Sequence, residues 1–199
     1  MKYLIFISVC IVISGRLYAQ EINEILMQGN EYYKKGEYKA ASGVYEKSLE
    51  LDKNNIAGRF NLANAQYKQN QFDQAASNYL TILKNTTDPS ILVKTWYNLG
   101  NNYIQQKKIQ DAINAYRQSL LLDPTDNDAR ENLQKAINEK QQQQNNNNKP
   151  NTPPNPKKSK NKLNQSLAEQ YMQQLRDQEK QLQKQLQKMP PEGQKGKDW

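Results

Sequence analysis

The stretch from Val93 to Asp126, VKTWYNLGNNYIQQKKIQDAINAYRQSLLLDPTD, constrains this chain more than any other. Trp96, Leu99, Gly100, Tyr103, Ala112, Tyr116 and Pro124 stand at the spacing W-x2-L-G-x2-Y-x8-A-x3-Y-x7-P. The spacing predicts two antiparallel helices. Trp96, Leu99 and Tyr103 lie three and four residues apart and share one face of a helix, which is expected to be buried. Gly100 and Ala112 are small, so the two helices can approach closely there, and Tyr116 packs from the second helix four residues after Ala112. Asp123-Pro124 ends that helix, because the residue before a proline is pushed out of the helical region.

Two earlier copies precede it. The first spans 22–55, with Gly29 and Ala41 at the small positions and Tyr45 at the aromatic one. The second spans 56–89, with Leu62, Ala63, Tyr67, Ala75 and Tyr79. The first two copies start 34 residues apart and the third starts 37 later, so three residues are inserted near Asn85-Thr86-Thr87. Asp88-Pro89 then reads as an N-cap followed by proline at the first helical position. The inter-helix turns fall at Gly36, Asn70 and Lys108, where a left-handed backbone suits Gly and Asn better than Lys. Ala129, Leu133, Ala136 and Ile137 continue the periodicity on 127–142 with no second helix behind them, as a polar-backed capping helix would. Residues 20–142 are therefore expected to form an all-α solenoid of three helix pairs and a capping helix. Three repeats are about the minimum for stable stacking.

The ends of the chain differ from this centre. Lys2 followed by the apolar run Tyr3–Ile13, then Leu17-Tyr18-Ala19, reads as a signal peptide over 1–19 cleaved before Gln20. The run of 11 residues is well short of the ~20 that a spanning helix needs. Cleavage would remove Cys10, the chain's single cysteine, which suits an oxidising compartment. From Gln20 to Gln142 Lys and Arg balance Asp and Glu at 15 each, whereas from Gln143 to Trp199 they stand at 11 against 5. A mean hydropathy of −1.05 is polar for one packed globule, so part of the chain is expected to be unpacked. Residues 143–162, within QQQQNNNNKPNTPPNPKKSKNK, have no acid and no large apolar side chain and are expected to be a disordered linker. In an exported chain such a basic run points to a soluble spacer and not to nucleic acid. Residues 163–199 form a helical tail. Leu163, Leu167, Tyr171, Met172, Leu175, Leu182, Leu186 and Met189 recur at helical steps, as in an interrupted coiled coil, before Pro190-Pro191 and a terminal Lys197-Asp198-Trp199. Leu167, Met172, Leu175, Leu182, Leu186 and Trp199 are the candidate docking residues of that tail.

The repeat resembles the tetratricopeptide repeat. Together with Tyr171-Met172-Gln173-Gln174-Leu175, Asp177, Glu179, Gln181-Leu182 and the closing Lys197-Asp198-Trp199, the chain is similar to the BatC-like family of tetratricopeptide-repeat proteins of the Bacteroides aerotolerance (Bat) operon. That resemblance covers nearly all of the chain after residue 19. It implies a periplasmic protein acting beside membrane-anchored von Willebrand A-domain proteins of the same operon, with a role in tolerance of oxygen or envelope stress. The Lys at the third turn and the three-residue insertion depart from the plain repeat and bear on the groove's shape.

The residues themselves point to binding and away from catalysis. The chain has no His, one Cys, no nucleophile elbow, no phosphate-binding loop and no metal-ligand spacing, so no catalytic residue, metal or cofactor is expected. The leading expectation is a non-catalytic periplasmic scaffold; the alternative is an outer-membrane assembly or peptidoglycan-associated adaptor using the same groove. The first helix of each repeat lines the concave face. Its ninth position carries Asn30, Asn64 and Asn101, a ladder able to hydrogen-bond an extended peptide backbone, although Asn is abundant in this chain and an incidental ladder is an equal reading. The fifth position carries Leu26, Phe60 and Tyr97, and the second Asn23, Ala57 and Lys94. Phe60 reads most simply as packing. Lys94 is the only cation among these positions, so capture of an acidic C-terminus is not expected.

Overall fold

The computed structural model describes residues 20–147, together with Gln173 and Asp177. Residues 20–147 hold seven helices: α1 over 20–34, α2 Tyr38–Leu51, α3 Ile56–Lys68, α4 Phe72–Asn85, α5 Pro89–Gln105, α6 Ile109–Leu122 and α7 Asn127–Asn147. They divide into two units, the first ending at Lys108 and the second beginning at Ile109. The described part of the first holds α1 to α5, and that of the second holds α6 and α7.

The turn between the two helices of a repeat is built three times on one plan. Gly36, Asn70 and Lys107 take positive φ of 78°, 61° and 58°. The amide of each returns to the carbonyl three residues back, and the next amide reaches five back. These bonds are Gly36 N to Tyr33 O and Glu37 N to Tyr32 O, both 3.0 Å; Asn70 N to Tyr67 O and Gln71 N to Gln66 O, 3.0 and 2.9 Å; and Lys107 N to Ile104 O and Lys108 N to Tyr103 O, both 2.9 Å. This paired return satisfies the last carbonyls of the first helix. The left-handed residue of the third turn is thus Lys107 and not Lys108, because 107 is the position equivalent to 36 and 70 in a copy that starts at Val93. An aromatic pair closes the first two turns, Tyr33 on Tyr38 and Tyr67 on Phe72, with ring centroids 5.2 and 5.7 Å apart and edge-to-face.

The insertion before the third repeat lengthens a helix. Asp88 Oδ1 accepts from Ser90 N at 2.9 Å and Pro89 opens α5, which runs for 17 residues against 13 in α3. Asn55 does the same for α3, its Oδ1 accepting from Gly58 N at 2.7 Å.

Small and aromatic residues meet as expected in the first unit. Tyr45 and Tyr79 are buried at 1% exposure, and Ala41, Ala63 and Ala75 at 0%. A methyl group placed on Gly29 would stand 2.4 Å from Tyr45 Cε1, so glycine is what lets α1 and α2 close around that ring. On α5 the fully buried residues are Thr95, Leu99 and Asn102. Trp96 and Tyr103 are only half-buried, so the expected face of Trp96, Leu99 and Tyr103 is turned by about one residue from the true one. The pattern locates a stripe on the helix, and neighbouring helices decide which edge of it they cover.

The first repeat differs on its leading face. Where α3 carries Gly58, Ala65 and Gln69, and α5 carries Thr95, Asn102 and Gln106, α1 carries Glu24, Glu31 and Lys35, all exposed. Glu31 pairs with Lys34 at 2.9 Å. A charged face of this kind solvates the side on which no other repeat packs among the described residues.

In the second unit α6 packs on α7. Ile109, Ala112, Ile113, Ala115, Tyr116, Ser119 and Leu120 of α6 are buried, as are Ala129, Leu133, Ala136 and Ile137 of α7. Asp126 Oδ1 caps α7 by accepting from Ala129 N at 2.9 Å. Its outer residues Glu131, Lys135, Asn138 and Glu139 are exposed, with Glu131 and Lys135 paired at 2.6 Å. Gln134 stands where Gly29, Ala63 and Gly100 stand in the repeats. The helix continues to Asn147, past the expected end at Gln142; Gln143 and Gln144 have good helix propensity, and the three asparagines after them do not. Residues 1–19, where a signal peptide is expected, and the expected linker and tail beyond Asn147 fall outside the described residues. The exceptions are Gln173 and Asp177, both helical, with Gln173 Nε2 donating to Asp177 Oδ1 at 3.0 Å.

Candidate functional site: a polar groove in the first unit

A cavity of about 330 Å³ opens in the first unit, lined by Tyr33, Asn64, Tyr67, Lys68, Tyr79, Asn98 and Asn101. The first helices of the three repeats and Tyr79 of α4 build it. Its polar floor is ordered by a contact that recurs from repeat to repeat. Tyr45 Oη donates to Asn30 Oδ1 at 2.7 Å, and Asn61 Nδ2 donates to the same oxygen at 3.1 Å. One repeat on, Tyr79 Oη donates to Asn64 Oδ1 at 2.6 Å, and Asn98 Nδ2 joins it at 2.9 Å. The ninth-position asparagine thus takes a phenol from its own repeat and an amide from the sixth position of the next. The first repeat carries Met27 at that sixth position, and Met27 is 67% exposed.

Burial pushes the Tyr45 phenol up to about 12, and pushes the Tyr79 phenol up as well. Tyr33 is shifted in the same direction, first by burial and then by its neighbour Tyr38. These hydroxyls stay protonated, and therefore remain donors, across the physiological range. Lys68 is exposed at the cavity's edge, and no carboxylate lines it.

The expected groove residues divide. Asn64 and Asn101 line the cavity. Asn30 belongs to the same ladder one repeat earlier. Tyr97 is half-buried, and Lys94 is exposed and is not among the lining residues. Phe60 packs its edge against Tyr79, with centroids 6.2 Å apart, so it supports the wall. Tyr33, Tyr67, Lys68, Tyr79 and Asn98 also line the cavity and are not among the expected groove residues. Their signal was present: 33 and 67 are the twelfth positions of their repeats, and 61 and 98 are both Asn at the sixth. The tail residues Leu167, Met172, Leu175, Leu182, Leu186 and Trp199 lie outside the described residues.

Among the described residues no three of His, Cys, Asp and Glu stand together as metal ligands would, and no helix is long and apolar enough to cross a membrane.

Two stretches of this architecture match models of the tetratricopeptide repeat, a repeat that serves as a protein-interaction module. The model "TPR repeat" matches residues 29–70 and the model "Tetratricopeptide repeat" matches 93–126. The chain is 32% identical over 105 residues to the Hsp70-Hsp90 organising protein of Plasmodium falciparum (isolate 3D7), covering 51% of this chain and 19% of that one. It is 30% identical over 99 residues to the STIP1 homolog of Dictyostelium discoideum, covering 48% and 18%. The chain thus spans about a fifth of the length of the curated relatives it matches. Among solved structures, the first such domain of Spaghetti (RPAP3), bound to the HSP90 peptide SRMEEVD, is 25% identical with a TM-score of 0.55, over 59% of this chain and 90% of that one. The domain of Sgt2 from Aspergillus fumigatus is 19% identical with a TM-score of 0.58, over 71% and 93%, and shares the fold.

Proposed function

We propose that this chain is a periplasmic scaffold whose first unit holds an extended segment of a partner protein. The partners are membrane-anchored von Willebrand A-domain proteins of the same operon, in a complex that serves aerotolerance or the response to envelope stress. The observation that carries the binding part is the groove: a cavity of about 330 Å³ lined by phenols, amides and Lys68, with no carboxylate. Such a lining offers hydrogen-bond donors to a peptide backbone and suits acceptor-rich segments. The Spaghetti domain with its bound HSP90 peptide supports an acidic segment as occupant. Lys68 adds a cation at the edge of this cavity. The apolar run ending at Ala19 supports export, with Gln20 as the first residue of the exported form. The tail stripe from Leu167 to Leu186 and Trp199 offers a second contact, and its likeness to the Bat-operon family supports the choice of partner.

The test uses the purified full chain without residues 1–19 and the soluble A domains encoded beside it. Calorimetric titration is expected to give saturable binding that weakens severalfold in Lys68→Glu. Binding that is absent, or is indifferent to Lys68→Glu and to deletion after Gln144, would overturn the assignment.

A further inference from the structure

The recurring contact between phenol and asparagine does more than join repeats. An amide oxygen has two lone pairs. At Asn64 both are taken, by Tyr79 Oη and Asn98 Nδ2 at 2.6 and 2.9 Å. Flipping that side chain would set its NH2 group against two donors and lose both bonds. The amide therefore has one orientation, and the part of it left to the cavity is Nδ2. Asn30 is held in the same way by Tyr45 and Asn61, at 2.7 and 3.1 Å. We infer that Tyr79 is a positioning residue for ligand recognition. It fixes Asn64 with its NH2 group toward the groove, so the groove selects peptide stretches that present carbonyl or carboxylate oxygens and rejects those that present N–H at this point. The inference rests on the peptide-groove reading above and adds a rule of selection to it.

Three observations agree. The raised phenol keeps its proton, so the lock does not loosen at neutral or mildly alkaline pH. Asn98 gives one N–H of its Nδ2 to Asn64 Oδ1 at 2.9 Å, which holds that oxygen from a second side. Lys68 adds a second donor on the same cavity. A purely structural staple would need the Tyr79 hydroxyl but would be indifferent to what Asn64 presents on its far side.

The experiment has two arms on the full chain. In the first, side-chain amide order parameters are measured by NMR in wild type and Tyr79→Phe. The order parameter of the Asn64 side-chain amide is expected to fall in the variant, while that of Asn30 in the same molecule stays unchanged. An Asn64 amide equally rigid in both proteins would overturn the lock. In the second arm the probe is the peptide SRMEEVD. Asn64→Asp keeps an oxygen for both Tyr79 and Asn98 but replaces the outward donor by an acceptor. It is expected to weaken binding about tenfold or more at unchanged Tm, a loss of one good hydrogen bond plus repulsion. Binding equal to wild type would overturn the donor assignment. Failure of wild type to bind the probe, with the first arm positive, would instead overturn the reading of the groove as an acidic-peptide site and leave the Tyr79 contact as a staple.

Discussion

The third turn carries the one residue whose backbone works against its side chain. Lys107 sits at φ 58°, where Gly36 and Asn70 sit in the equivalent turns. For an ordinary L-residue the left-handed conformation costs roughly 1–2 kcal/mol through the clash of Cβ with the following carbonyl. Glycine avoids that clash but gives up roughly 0.5–1 kcal/mol of chain entropy on folding. The two hydrogen bonds of the turn, both 2.9 Å, involve only backbone atoms and survive the exchange. Lys107→Gly is therefore expected to stabilise the protein by about 0.5–1 kcal/mol, the difference of the two effects. That corresponds to a rise in Tm of roughly 2–5 °C for a domain of this size. Lys107→Asn should gain a smaller amount, since Asn tolerates this region, and Lys107→Val should lose stability. The mirror experiment is Gly36→Ala at φ 78°, where nothing lies within 4 Å of the added methyl group and the cost is purely one of conformation. Thermal and urea melts of the full chain measure all four. If Lys107→Gly left stability unchanged while Gly36→Ala was also neutral, the turn conformation would not be an energetic constraint and the reasoning would fail.

Other outcomes follow from separate contacts. Gly29→Ala forces a methyl group to 2.4 Å from the Tyr45 ring and is expected to destabilise by about 1–2 kcal/mol net of its gain in helix propensity, whereas Gly43→Ala meets nothing within 4 Å and should stabilise by up to about 1 kcal/mol; the same melts compare them. Asn55→Ala removes the cap on Gly58 N and is expected to cost about 1 kcal/mol, read as a lower urea midpoint at constant m-value. The Tyr45 phenol titrates near 12 in the folded protein and near 10 when unfolded, so the folded state holds the proton more tightly. Stability is full below pH ~10 and is lost as pH rises from ~10 to ~12, with Tyr79 acting in the same direction. Circular dichroism at fixed temperature across that interval should show unfolding that Tyr45→Phe reduces.

Helix boundaries, turns and the pairing of small with aromatic residues were legible in the sequence because they rest on short-range chemistry. Asp88-Pro89 announced the start of α5, and Asp88 does cap it. Gly36 and Asn70 announced left-handed turns, and both take positive φ. Gly29 with Tyr45 was set by the spacing of this repeat. The third turn was misplaced by one residue at Lys108, although counting from Val93 puts Lys107 at the position of Gly36 and Asn70. What the sequence could not determine is which polar groups meet. Tyr45 reaches Asn30 across 15 residues, and Asn61 reaches the same oxygen across 31. The first meeting depends on how the two helices of one repeat pair, and the second on how one repeat leans on the next, which no local pattern encodes. The same holds for the groove. The asparagine ladder was visible at the ninth positions, but the oxygens of Asn30 and Asn64 are occupied within the protein, and only packing decides which side of each amide faces out. Lys68 and Tyr67 entered the lining for the same reason, since a helix offers several candidate faces and the neighbours that cover all but one are chosen by tertiary contact.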